Sequence, residues 1–535
     1  MTNAPGHKSY EVIVIGAGHN GLVTAAYLAK AGKQVLVIER RPHVGGAAST
    51  EEVFQGYKAN TGATDAGLFL PRIVSDLDLE SHGLGWVESP ALVFAPQLDG
   101  NSLTLWRDPN RSVAEIAGFS KTDADRYPAF LRLVSRLAEV LSLMLTVSPP
   151  SLPEIRVGEL LPWLRTALKL KSLGEHDMME FLRFLPMSVA DFLDEWFESR
   201  ALKAAIGSSG VTGSFLGPRS SGTALMLLYQ AIHAGKAGFR SSRFVQGGIG
   251  RLSQALAEVA IQHGAEICTG LEVSEIILDG NNASGVRLGN GERIDARAVV
   301  SSVDPQRTFF GLVGAPHLEV RFVREVKNIR LHSSLARVHL ALSGLPSFPG
   351  ASQAGPGGNL SGHILICPDL DYLERAFDDA KYGRFSSRPL LDIVIPTLSD
   401  PALAPPGKHI LSIDAYYAPY ALQEGGWDEK RGELLDVVLQ TLAAYSPGIT
   451  NLITNTQVIT PLDLEREYGL TRGDIYQGQM GLDQILMMRP VPGYGRYRAP
   501  VKNLFLCGAG THPGGGVTGA PGYNAAREIM DLRTD

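Results

Sequence analysis

Tyr10-Glu-Val-Ile-Val-Ile15-Gly16-Ala-Gly18-His-Asn-Gly21-Leu22 is the stretch from which the rest of this 535-residue chain can be read. Residues 11–15 are continuously apolar and rich in β-branched side chains, which predicts a parallel strand covered on both faces. Three glycines follow at the spacing GxGxxG. Residues 22–30 then read as a helix through Leu22, Ala25, Ala26, Leu28 and Ala29, with Gly32 to end it. A second apolar run, 34–38, closes on Glu39. Strand, glycine turn, helix, strand and terminal acid make one unit.

Each part has a physical task. Gly16 permits the tight turn, Gly18 lets backbone approach a pyrophosphate, and Gly21 lets the helix pack closely on the strand. The helix N-terminus offers unpaired N–H groups and partial positive charge to phosphates. Glu39 would accept hydrogen bonds from adenosine ribose hydroxyls and repel a 2′-phosphate. The unit predicts a dinucleotide site.

After Glu39 the chain runs Arg40-Arg-Pro-His-Val-Gly45-Gly46-Ala-Ala-Ser49-Thr50. A nicotinamide dinucleotide does not need a second glycine pair just past the acid. Gly45 and Gly46, with Arg40 ahead of them, let the chain double back over a cofactor and present backbone amides to it. This pattern resembles the flavin-containing amine oxidase and phytoene desaturase superfamily, in which a glycine pair follows the ribose-binding acid and helps hold FAD.

Composition narrows the class. An apolar content of 44% with 19% charge is that of a folded globular chain with core for two to four domains. The net charge of −6 leaves no cation excess for a nucleic-acid partner. Cys268, Cys367 and Cys507 are far apart and include no CxxC, so neither a redox disulfide nor a metal site is expected. Sparse thiols suit a cytoplasmic setting. Residues 1–9 lack a signal-type apolar core, and no apolar run is long enough to span a bilayer.

Beyond the first unit, residues 91–94 and 102–106 read as strands around an Asp99-Gly100 turn. Residues 123–146 predict a helix, stopped by Pro149 and Pro150. Residues 160–171 form a basic amphipathic helix, either packed on the core or lying in a membrane interface. Residues 178–197 and 222–233 read as two further apolar helices suited to walling a greasy cavity. Gly247-Gly-Ile-Gly250 then leads into a helix at 253–263, a strand from 264 through Val273, and strands at 274–278, 283–288 and 296–302. Strands at 332–342, 390–396 and 409–415 and a helix at 430–444 follow, with a polar glycine-containing loop at 352–358.

Near the C-terminus, an apolar strand at 504–507 runs into Gly508-Ala-Gly510-Thr-His512-Pro-Gly514-Gly515-Gly516-Val-Thr518-Gly519, and then into a helix of small residues ending near Leu532. Such glycine density lets backbone approach a large flat ligand. A helix starting around Thr518 would aim its positive end at a reduced flavin. The three blocks together resemble the phytoene desaturase-like branch of FAD-dependent oxidoreductases, which includes carotenoid isomerase and retinol saturase. That resemblance covers essentially the whole chain.

The resemblance implies an α/β fold. A Rossmann-like FAD-binding domain would be assembled from residues 1–85, 242–307 and 490–535, with an α+β substrate domain from 86–241 and 308–489. It also implies that the Val273 backbone contacts adenine, and that Gly508, Gly516, Thr518 and Gly519 lie near the flavin. Only one complete GxGxxG unit is present, so electrons would come from an organic substrate by hydride transfer to flavin N5 and pass to oxygen or a quinone. A hydrophobic substrate suits the apolar helices. His512, Asp474 and Tyr476 are the catalytic candidates, with Gln484 beside them; His233 reads as a packed helix residue. Two alternatives stay open: an amine oxidase-type enzyme on a polar substrate, and a low-turnover flavin binder that contacts a membrane or a partner, including a second copy of the chain.

Overall fold

In the computed structural model, which describes residues 5–151, 157–235, 238–352 and 358–530, the opening stretch folds as its pattern requires. Strand β1 (Ser9–Ile15) buries its apolar run between two parallel neighbours, β2 (Val35–Glu39) and the strand Arg293–Ser301. Helix α1 (His19–Lys30) crosses between β1 and β2, with Leu22, Val23, Ala25 and Ala26 fully buried. The small Gly21, Ala25 and Ala26 let the helix lie close to the sheet.

Three separated parts of the chain complete this seven-stranded sheet. Glu266–Thr269 pairs with β2 on one side. On the other side, Arg293–Ser301 pairs along its first half with Asn282–Leu288 and along its last three residues with Leu504–Leu506. Strands from the start, middle and end of the sequence therefore share one layer. The expected strand through Val273 is broken: Gly270 takes φ +74°, and the amides of Gly270 and Leu271 donate to the carbonyls of Arg41 and Glu39. A new strand begins at Val273 and ends at Asp279.

A second seven-stranded sheet runs in the order Ile453–Ile459, Leu335–Leu342, His409–Tyr416, Leu390–Val394, His363–Ile366, Ala91–Pro96 and Ser102–Trp106. All eight residues of Leu335–Leu342 are buried. One face carries a helical layer that includes Lys121–Met144, Val189–Trp196 and Thr223–Gln230. The single helix expected over 178–197 is two, Gly174–Phe184 and Val189–Trp196. Pro186 cannot donate a backbone hydrogen bond, and the Ser188 hydroxyl caps the second helix at the Asp191 amide. His233 lies past the end of its helix at φ +68°, not within it.

The helix Val157–Ser172 turns most of its leucines outward, and only Leu170 packs against the helical layer. Thr166 is its only buried residue, while Val157, Leu160, Leu161, Leu164 and Leu168 are all exposed. No helix among the described residues is long and apolar enough to cross a membrane. The loop expected at 352–358 falls almost wholly outside the described residues, as does the expected helix end at Leu532.

Candidate functional site

A cleft opens over the C-terminal ends of β1 and β2, where a doubly wound sheet places its ligands. Gly16, Gly18, Gly21, Glu39, Gly46 and Val273 all stand on its wall. The three motif glycines serve different ends. Gly16 takes φ +90°, and a side chain there would meet Ser302 Oγ at 2.5 Å. A Cβ on Gly21 would lie 2.2 Å from the Gly16 carbonyl oxygen, so this glycine lets the helix meet the turn. Around a Cβ on Gly18 there is no protein atom within 4 Å. Its bareness serves the cleft and not the packing.

Glu39 is buried, and one of its oxygens accepts the Ala17 amide at 2.8 Å while the other accepts the Arg41 amide at 2.8 Å. The carboxylate is thus fixed at the strand end with lone pairs left for a ribose. Arg40 also stands on the wall, but its guanidinium donates to the carbonyls of Arg466 and Glu467, at 2.9 and 2.8 Å. Gly45 sits behind the wall: its amide donates to the Ala17 carbonyl at 2.8 Å. The chain crosses over itself here, because a Cβ on Gly46 would lie 3.2 Å from the Gly18 Cα. Arg41 turns to Glu51 at 2.9 Å. Burial alone would raise Glu51, but hydrogen bonds from Arg41, Ser49 and Thr61 outweigh it and hold the carboxyl at about 2.

A second cavity continues from the first, sharing His19, Ala47, Ile475 and Ala509 with it and reaching the second sheet. Gly516 and Val517 form part of its wall. Opposite them the wall is charged. Arg240 lies 3.0 Å from Asp392, whose other oxygen is 2.6 Å from His363 Nδ1. His363 Nε2 is 3.3 Å from Asp65. Arg337 grips Asp414 through two contacts, 2.6 and 2.9 Å. Burial and Arg240 oppose charge on His363, yet Asp392 and Asp65 outweigh them and raise the ring above the ordinary imidazole value. Asp392 is held well below the usual carboxylate range: burial works against this, and His363 and Arg240 overcome it.

The C-terminal glycine loop contributes less wall than its composition suggests. A Cβ on Gly508 would lie 2.4 Å from the Ser302 carbonyl oxygen, and one on Gly519, at φ +70°, would lie 2.6 Å from Ile73. The Thr518 hydroxyl caps the final helix, Ala520–Met530, at the Ala520 amide, and its carbonyl accepts from Leu70. These three pack the loop, whereas Gly516 faces the cavity. Arg489, which carries no motif, is the staple of the region. Fully buried, it donates to the carbonyls of Ala509 at 2.9 Å and Tyr476 at 2.6 Å, tying residues 474–489 to the loop.

The catalytic candidates separate. Tyr476 stands on the wall of the second cavity and its hydroxyl accepts from Gln230 at 3.2 Å; burial pushes it up to about 12. Asp474 faces away. It accepts the amides of His332 and Tyr476, at 3.0 and 2.8 Å, and burial raises it to about 6. Gln484 is likewise occupied with Arg330 and Gln479. His512 lies on the far side of the glycine loop, with Nε2 2.9 Å from the Met144 carbonyl at the end of Lys121–Met144; burial brings it down to about 4. On that side lies a third cavity, almost wholly apolar, with Leu141, Met144, Phe181, Leu185 and Met487 on its wall. The Tyr229 hydroxyl donates to the Gly515 carbonyl at 2.7 Å across the partition.

FAD fits the two joined cavities on two counts: the open cradle over Gly18 beside a fixed acid, and a buried histidine nitrogen, His19 Nε2, with no partner at their junction. Residues 21–530 match the family described as flavin containing amine oxidoreductase. The chain is 37% identical to pyridine nucleotide-disulfide oxidoreductase domain-containing protein 2 of Rattus norvegicus over 98% of its own length and 94% of the relative's. It is 29% identical to a limonene dehydrogenase polypeptide of Castellaniella defragrans, over 98% and 94%. With phytoene desaturase of Fusarium fujikuroi it shares 26% identity over 95% and 86%. An oxidoreductase structure from Methanosarcina mazei superposes with a TM-score of 0.58 at 20% identity, covering 98% of this chain and all of that one, which shows the fold. All three cysteines here are buried and well separated in sequence.

Proposed function

Because the chain belongs to the flavin containing amine oxidoreductase family and is an FAD-dependent oxidoreductase, we propose that it dehydrogenates or isomerises an apolar, isoprenoid- or polyene-like substrate. Bound FAD supplies the two-electron acceptor at N5. Gly18 and the α1 N-terminus receive the pyrophosphate, Glu39 the ribose, and the Val273 backbone the adenine. The observation that carries the substrate class is the third cavity, whose apolar wall lies across the glycine loop from the cofactor cavity. Relatives named as a limonene dehydrogenase subunit and a phytoene desaturase, matched over 94% and 86% of their lengths, support it.

The wall beside the cofactor supplies no strong base near neutral pH. His363 is raised above the ordinary imidazole value by its two carboxylates, Asp392 is held well below the carboxylate range by His363 and Arg240, and Tyr476 is pushed up to about 12. That favours removal of the hydride ahead of the proton, with paired carboxylates steadying positive charge on the substrate carbon. Anaerobic mixing with isoprenoids should bleach the bound flavin, and amines should not; bleaching by amines alone would overturn the assignment. Reoxidation by oxygen or by a soluble quinone would identify the acceptor.

The charged wall favours a second reading, a substrate with a polar end, because Arg240, Arg337 and three carboxylates border the space where it would react. Bleaching by polar substrates in the same experiment would select it. The apolar stripe on Val157–Ser172, flanked by Arg165 and Lys171, supports docking of a cytoplasmic protein on a lipid surface. Replacing Leu161, Leu164 and Leu168 by serine should abolish pelleting with liposomes. Unchanged pelleting, or a shift from dimer to monomer instead, would assign the stripe elsewhere.

A further inference from the structure

His19 is the first residue of α1, and its ring occupies a position no glycine motif explains. It stands on the wall of both cavities, at the seam between the nucleotide cleft and the space beneath the second sheet. Of its two ring nitrogens, Nε2 is buried and has no hydrogen-bond partner. The Gly516 backbone lies beside the ring and favours its charged form, against the larger effect of burial. His19 thus stands between the first glycine turn and the C-terminal glycine loop, at the junction that a bound dinucleotide must pass.

An unpartnered polar nitrogen in a buried wall carries a desolvation penalty of about 1–3 kcal/mol unless something meets it. A hydroxyl, which both donates and accepts, meets Nε2 of a neutral ring in either tautomer. Phosphate oxygens at neutral pH are acceptors only and meet it in one tautomer alone. Between the pyrophosphate, which belongs to the Gly18 cradle, and the isoalloxazine, which belongs to the second cavity, the cofactor offers the hydroxyls of its ribityl chain. Burial brings the ring down to about 4, in keeping with a neutral ring.

Resting on the FAD reading above, we infer that His19 Nε2 makes a hydrogen bond with a ribityl hydroxyl of FAD and so fixes the cofactor where it bends from one cavity into the other. The assignment is specific to this chain's side chain; the glycines around it act through backbone.

Apoprotein titrated with FAD tests this by affinity, without turnover. His19→Ala should weaken FAD about tenfold, the value of one such bond. His19→Asn, which restores an acceptor oxygen, should recover much of the loss and guards against a folding defect in the alanine variant. FAD analogues lacking the 2′-, 3′- or 4′-hydroxyl of the ribityl chain should bind wild-type protein about tenfold more weakly at one position, and at that position His19→Ala should add no further loss. Calorimetry in buffers of different ionisation enthalpy should show no proton uptake between pH 6 and 8. Equal FAD affinity for wild type and His19→Ala, or losses that add at all three hydroxyls, would overturn the assignment. Uptake of one proton that disappears in His19→Ala would move the ring onto the phosphates instead. A wild-type apoprotein that binds no FAD would defeat the cofactor reading itself, and this inference with it.

Discussion

Gly18→Val separates folding from cofactor binding more cleanly than any other change in the chain. Gly18 caps α1 with φ −67° and ψ 164°, a backbone that any L-residue adopts. Its Cβ would meet no protein atom within 4 Å. Replacing glycine where the backbone is compatible stabilises by about 0.4–1 kcal/mol, and losing a favourable N-cap residue takes back a similar amount. The apoprotein should therefore unfold within about 1 kcal/mol of wild type. The same methyls fill the cradle and hold a pyrophosphate off the α1 amides. Two hydrogen bonds to a charged group, each worth about 1.5–3 kcal/mol, would go, weakening FAD by about 10²–10⁴-fold. The assay is FAD released per chain on denaturation, together with melting of the apoprotein with and without added FAD. Wild type should gain a melting shift on adding FAD and the variant none. A Gly18→Val protein that purifies yellow with one FAD per chain would refute the placement of the pyrophosphate.

Gly21→Ala should do the reverse of Gly18→Val: its Cβ would meet the Gly16 carbonyl oxygen at 2.2 Å, so the apoprotein should lose about 1–3 kcal/mol in urea unfolding. Arg489→Leu leaves the carbonyls of Tyr476 and Ala509 without their buried donor, and about 3–5 kcal/mol of stability should go with early proteolysis near residues 474–489. Glu51 is ordinarily at 4.5 and is held at about 2 in the fold, so its contribution of about 3 kcal/mol is complete above pH 4.5 and fades as pH falls toward 2; Glu51→Gln should flatten acid unfolding in that window. His512, down at about 4, is neutral through the physiological range, so His512→Gln should leave the pH profile of anaerobic flavin reduction without a lost limb. Disappearance of a limb near pH 6–7 would restore His512 as a proton carrier.

The nucleotide half of the site was legible because it is written in backbone. A strand ending in glycine, a helix N-terminus and an acid 23 residues past Gly16 lie within one local unit, and local periodicity reports such units directly. The glycines at the C-terminus were legible as a dense group, yet density does not say which way each faces: Gly516 lines the cavity, while Gly508 and Gly519 are required by Ser302 and Ile73. Asp474 and Gln484 looked like pocket residues from their neighbourhood, but their side chains satisfy backbone groups of another segment, a pairing only the fold reveals. The helix Val157–Ser172 shows the same limit from the other side, since an amphipathic stripe does not state what lies against it.

Nothing in the sequence announces the charged wall. Asp65, Arg240, His363 and Asp392 come from four stretches up to about three hundred residues apart, and each alone reads as an ordinary polar residue. Stability does not account for them once assembled. Arg240 and His363 are buried, and taking such ions out of water costs several kcal/mol each, where well-packed apolar residues are often as stable or more so. Two packed sheets rich in Leu, Ile and Val had such residues to offer. What the array provides that apolar packing would not is a fixed pattern of charge on the wall of the second cavity, already ordered before any substrate arrives. Asp392→Asn, which keeps the shape and removes one charge, should therefore alter the rate of flavin reduction at least tenfold while FAD content stays at one per chain; an unchanged rate would return the array to a merely structural role.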